Sequence, residues 1–161
     1  MTPREQLAEF FFAIVEDPTE EGFAAARQAH PEVLAAALAY LRDRHVHGAA
    51  PEEDWETAAA FHSVLRMILG TGGPTVARDL VELALDAGHP AALRPIGELV
   101  LGAVPPDALA RALIDALGGA RTSLQRDNAR ALAYHTFDAA GDEYAASDEL
   151  RTRLDDRLSV R

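Results

Sequence analysis

The chain has 161 residues, a net charge of −11, 48% hydrophobic residues and no cysteine. That length suits one domain with a core large enough to stand without disulfides. The missing cysteine excludes disulfides, thiol catalysis and Cys-type zinc sites. The acidity sets the chain against phosphate backbones and anionic lipid surfaces, so neither nucleic acid nor membrane is an expected partner.

The first ten residues, MTPREQLAEF, show no basic stretch followed by an apolar one, so no signal peptide is read there. Runs such as FFFAIV fall far short of the ~20 residues that cross a bilayer, and a cytoplasmic location is expected. Apolar residues then recur at three and four spacing along the whole sequence, strand-type runs are missing, and the expected class is all-α.

Thr2-Pro3-Arg4-Glu5 has the form of a capping box, and Leu7, Phe10, Phe11 and Ile14 make the inner stripe of the helix it opens. Asp17-Pro18-Thr19-Glu20 repeats the device for a short helix carrying Phe23, Ala24 and Arg27. Pro31 is the expected first residue of a third helix, with Leu34, Ala37, Leu38 and Leu41 inward, and HVHGAAPEED (45–54) is a loop. A long helix is predicted over 51–69, where Trp55, Ala58, His62, Leu65 and Leu69 alternate by three and four.

Gly70-Thr71-Gly72-Gly73 stops that helix and Pro74 starts the next, with Val76, Leu80, Leu83 and Ala84 inward. Pro90 and Pro95 stand too close together for one regular helix, which predicts either a turn over 90–94 and a short helix over 95–101 or one kinked helix. Pro105-Pro106 opens a helix bearing Leu109, Leu113 and Leu117, and GGARTS (118–123) is a loop whose Ser123 can cap a helix over 124–140. Gly141 breaks that helix, and a polar one over 143–158 carries the narrow stripe Leu150, Leu154 and Leu158. The sum is eight or nine helices in one domain spanning 1–161, arranged as antiparallel hairpins in an α-solenoid or as an irregular bundle.

Few groupings suggest chemistry. His45 and His47 lie beside Glu52, Glu53 and Asp54, but a histidine-bearing helix end suits that placement better than a metal site. Tyr134, His135 and Tyr144 flank a turn with Asp138, Asp142 and Glu143, where rings serve packing more readily than acid–base work. GTGGP (70–74) has neither the preceding strand nor the following Lys-Ser/Thr of a phosphate-binding loop. The two His-Pro pairs, His30-Pro31 and His89-Pro90, share one setting between helices and read as punctuation. No catalytic residue, metal or cofactor is expected. The binding candidates are Trp55, the one tryptophan, His62 two turns on along the same expected stripe, and Arg66 one turn beyond His62, since Trp and Arg are enriched where proteins meet.

Residues 9–70 carry a short aromatic helix, an acidic Pro-Thr turn, EGFAAARQAHPEVL, an Ala/Leu helix, an acidic loop and ETAAAFHSVLRMILGTG. That order resembles the tetratricopeptide-like helical segment with an "HPEL"-type turn found in actinobacterial and cyanobacterial multidomain proteins, some with caspase-like CHAT domains. Arginine to the exclusion of lysine, with abundant alanine, is a composition of high-GC bacteria. The resemblance implies helical-repeat architecture used for protein contacts. The expected function is a non-enzymatic interaction module whose partner is a protein with a basic surface. The alternatives are an acidic immunity-type inhibitor and a helical small-ligand binder or enzyme with a pocket between helices.

Overall fold

A computed structural model of the chain describes residues 1–119 and 122–160. It is all-α: ten α-helices are joined by short turns, with no strand among the described residues. None of these helices is long and apolar enough to cross a membrane. The contacts group into two compact units, Met1–Gly72 and Gly73–Arg161, a subdivision that no composition break in the sequence announces.

In the first unit, α1 spans Pro3–Glu16 and opens with the expected box. The Glu5 amide donates to Thr2 Oγ1 at 3.2 Å, and the Thr2 amide donates back to Glu5 Oε2 at 2.7 Å. Leu7, Phe10, Phe11 and Ile14 are buried against α2 (Glu20–Ala29) and α3 (Val33–His45). Thr19 caps α2 by accepting from the Gly22 amide at 3.0 Å. A Cβ at position 22 would stand 2.1 Å from the Asp17 carbonyl oxygen, so only glycine lets the chain double back there. His30 closes α2, but Pro31 lies in a turn and α3 begins two residues later, at Val33. Its buried face is therefore Val33, Ala36, Ala37, Tyr40 and Leu41, with Leu34 and Leu38 half-buried at its flank.

The predicted helix over 51–69 is two helices. Ala58 is extended, with φ −68° and ψ 137°, and it separates α4 (Asp54–Thr57) from α5 (Ala59–Gly70). The break resets the phase. Phe61, Val64, Leu65, Ile68 and Leu69 are buried, while Trp55, Ala58 and His62 are half-buried, and Glu56 takes the deepest place on α4.

The second unit begins at Gly73, whose φ of 63° suits glycine alone, and Pro74 heads α6 (Pro74–Leu85). Val76, Leu80, Leu83 and Ala84 face inward as their spacing requires. A single 3-10 turn at Pro90–Leu93 leads into α7 (Arg94–Ala103), and α8 runs over Pro106–Gly119. Leu109 and Leu113 are fully buried, and each such leucine contributes about 2 kcal/mol of transfer free energy.

Of the expected loop at 118–123, positions 120 and 121 lie outside the described residues. Thr122, not Ser123, caps α9 (Ser123–Ala133), accepting from the Gln125 amide at 3.1 Å. The predicted helix over 124–140 is interrupted by a π turn at Tyr134–Asp138, and Gly141, with φ 66°, ends the segment. α10 (Asp148–Leu158) starts later than predicted, after a 3-10 turn at Gly141–Tyr144, and buries Leu150 and Leu154 against α8. α6 packs on α8 and α9, and α7 on the π turn, where Gly97 meets His135.

Candidate functional site

The first unit concentrates the features that sequence reasoning sought, though in a different grouping. Trp55 is half-buried and joins a ring cluster. Its centroid lies 6.1 Å from Phe11, 6.4 Å from Phe12 and 4.9 Å from Phe61, and the Arg4 guanidinium stands over it at 5.8 Å. Phe11 and Phe61 are core, but Phe12 is 50% exposed and Val15, one turn on, is 57% exposed. These two and the outer edge of Trp55 make an apolar patch on the outside of α1. Glu9 and Glu16 share that helix face with Phe12, and Asp54 adjoins Trp55; all three are exposed.

Beneath the patch lies a polar knot. The Glu56 side chain is almost wholly buried, its residue only 2% exposed. Its Oε1 accepts from Arg4 Nε at 2.8 Å, from Arg4 Nη2 at 2.6 Å and from the Glu52 and Glu53 amides at 3.2 Å each. Its Oε2 accepts from the Tyr40 hydroxyl at 2.9 Å. Burial alone would push this carboxyl up, but the bonds from Arg4, Tyr40 and the Glu52 backbone outweigh it and hold the group below the ordinary carboxylate range. The same arginine reaches Glu52 at 3.4 Å and Glu53 at 3.7 Å. One carboxylate thus ties the start of α1, α3 and the loop before α4 together. Its acceptor sites are spent on structure, so it is no free acid or base.

Behind the knot opens a cleft of about 660 Å³ between the first turn of α1, the last turns of α3 and the loop that follows. Tyr40 and Glu56 reach into it, and Arg42, Arg44 and His47 stand around it.

The other candidates fall elsewhere. His62 packs beside Phe61 with centroids 6.0 Å apart, and Arg66 lies one turn along α5 with its Nε buried and lacking a hydrogen-bond partner among the described residues. The break at Ala58 takes Trp55 out of helical register with these two, so they do not continue its stripe. His45, the last residue of α3, is pushed down to about 4 by burial, and then by the charges of Arg44 and His62, which keeps it neutral at pH 7. His47 is exposed and its Nδ1 lies 3.5 Å from Asp43. Glu52 and Glu53 turn to Arg4 rather than to either histidine, and among the described residues no three metal-ligating side chains converge.

In the second unit the Tyr144 hydroxyl donates to the Val104 carbonyl at 2.5 Å, and Asp138 accepts from Arg151 at 2.7 Å. Phe137 and Tyr144 therefore serve packing, whereas Tyr134, expected to do the same, is 58% exposed. His89 caps its own turn, its Nδ1 accepting from the Ala91 amide at 3.0 Å, and the two His-Pro pairs are punctuation in both copies.

Two residues central to this region, Glu56 and Phe12, were invisible as site residues in the sequence. Glu56 stands in an acidic stretch that reads as solvated surface, and Phe12 stands in an aromatic run that reads as core. A signal for Phe12 exists: Leu7, Phe10, Phe11 and Ile14 already fill the inner stripe of α1, which leaves Phe12 on the opposite side. Compared with family models, curated proteins and solved structures, the chain matches none.

Proposed function

We propose that the chain is a protein-interaction module that uses the outer face of α1. The observation that carries this reading is the exposed Phe12 set edge-on against Trp55, with Val15 beside it and carboxylates around it. Aromatic side chains held by a rigid helix bring large contact area at small entropic cost. The rim of Glu9, Glu16 and Asp54, on a molecule of net charge −11, selects the partner by charge. The expected partner is a protein segment with an apolar side chain between lysines or arginines. The likeness of residues 9–70 to tetratricopeptide-associated segments agrees with such a role, and an immunity-type inhibitor of a basic enzyme would use the same face.

Selection of peptides from an unbiased displayed library on the immobilised chain tests the reading. Enriched sequences should pair basic with apolar residues, and Phe12→Ala should weaken them about tenfold. The side chain is half exposed, so the thermal midpoint of that variant should stay near wild type. Enrichment without a basic bias, or peptides that bind Phe12→Ala as well as wild type, would overturn it.

A further inference from the structure

We infer that the cleft behind Glu56 is a binding site for a small organic anion, whose carboxylate or phosphate group is taken by Arg44. The argument starts from how the charges around the cleft are paired. Glu56 is saturated by five donors, Arg4 serves three carboxylates, Asp43 faces His47, and Glu5 closes the capping box with Thr2. Each acid that lines the cleft is therefore already engaged. Arg44 differs. Among the described residues its hydrogen-bond partner is the Tyr40 hydroxyl at 3.2 Å, a neutral acceptor, and it forms no ion pair.

That hydroxyl also orients Arg44. Tyr40 commits its proton to Glu56 Oε2, so it can meet Arg44 Nη1, four residues on along α3, only with a lone pair. One edge of the guanidinium is thereby anchored through a buried carboxylate. The planar fork keeps further donors for a bidentate acceptor, and ordering it costs little at the moment of binding.

The cleft supplies the rest of a ligand site. A volume of about 660 Å³ lies inside the range of small-molecule pockets. Pro3, Ala39, Ala49 and Ala50 line it with short apolar side chains, which leaves room for an apolar body of several carbons. A chain of net charge −11 repels anions at long range, so selection there works by contact. The ligand class is a short aliphatic or aromatic carboxylate or monophosphate. This site stands apart from the Phe12 face and does not depend on it.

The test is a titration of the 15N-labelled full chain with hexanoate, hexyl phosphate and hexylammonium, each to about 10 mM, since ligands of this size bind in the millimolar range. At least one anion should shift the Tyr40, Ala49 and Ala50 amides saturably, and whichever binds more tightly names the head group. Hexylammonium should leave those amides unmoved. Arg44→Gln should weaken the anion about tenfold, Arg44→Lys should restore part of the loss, and Arg78→Gln, which removes an exposed charge in the second unit, should change nothing. The inference falls if no saturable shift occurs, if hexylammonium binds as well, or if Arg44→Gln binds like wild type.

Discussion

Glu56 in the first unit and Asn128 in the second are both polar and both out of solvent, yet they meet the cost of burial differently. Glu56 carries charge and is surrounded by five donors, two from a guanidinium. Asn128 is neutral and 0% exposed; its Nδ2 donates to the carbonyls of Leu85 at 3.1 Å and Ala87 at 2.8 Å, which closes the C-terminal end of α6. Its Oδ1 has no partner among the described residues. The surroundings match the two solutions. Seven of the ten Phe, Tyr and Trp residues lie in the first unit, where ring edges pack around the ionic knot. The second unit relies on aliphatic packing of α6, α8 and α9, in which an amide is tolerated more readily than a charge. Glu56 thus knits three separate segments together, whereas Asn128 trims a single helix end.

The contrast predicts a ranking. Glu56→Ala should be the most damaging change, about 3–5 kcal/mol by urea unfolding, because it strands Arg4, the Tyr40 hydroxyl and two amides at once. Glu56→Gln should recover part of that. A loss below about 1 kcal/mol for the alanine variant would show that the knot holds nothing together. Asn128→Asp should cost about 2–4 kcal/mol, since a carboxylate cannot donate to two carbonyls and adds a buried charge. Asn128→Leu should cost less, because it also removes the unpartnered Oδ1. An aspartate variant as stable as the leucine variant would break the comparison from the other side.

Gly22→Ala tests geometry without polarity: the added carbon meets a backbone oxygen, and about 1–3 kcal/mol should be lost. The smallest effect concerns pH. His45 is held near 4 when folded and lies near 6.5 when unfolded, so the unfolded chain binds more protons in that window. The stability His45 lends is whole above about pH 6.5 and drains away as pH falls towards 4. Glu56 works in the same direction at lower pH, its contribution being lost as pH drops below the ordinary carboxylate range. His45→Gln should flatten the slope between pH 6.5 and 4 by an amount of order 1 kcal/mol once solvent screening is discounted, and leave the steeper acid limb in place. Denaturation midpoints across that range measure both limbs, and an unchanged slope in the variant would remove His45 from the account.

The residues that announced the fold are those with a local mechanism. Thr2 with Glu5, Thr19, and the prolines heading α1, α6 and α8 mark helix starts through caps and missing N–H groups, and the structure has them there. Stripes within one helix, such as that of α6, were equally plain. Breaks without a punctuating residue were not. Ala58 stands between good helix formers, and beside its extended backbone Glu56 bonds Arg4 and Tyr40 from distant helices, long-range contacts that periodicity does not carry. The region of interest was half legible for the same reason. Trp55 drew attention by its type, whereas its partners Phe12 and Arg4 come from a helix more than forty positions away. Asn128 reads in sequence as an ordinary polar position, because the carbonyls it serves belong to the end of α6 and the turn just after it, some forty residues earlier.

The π turn at Tyr134–Asp138 has a bearing on how this chain can gain and lose residues over generations. An i→i+5 turn is an α-helix that has absorbed one extra position without unravelling. Deleting one residue within it would let α9 run on as regular helix and leave the later side chains facing as they do now, because the wide turn already takes up the extra position and its ~100° of rotation. Phe137 would keep its side of the helix, with the Tyr144 ring 5.5 Å away and the Arg151 guanidinium 5.3 Å away. The turn is therefore the place in this helix where a residue can be lost without turning α10 away, whereas a deletion within the regular part of α9 that left the wide turn intact would rotate everything beyond it by about 100°.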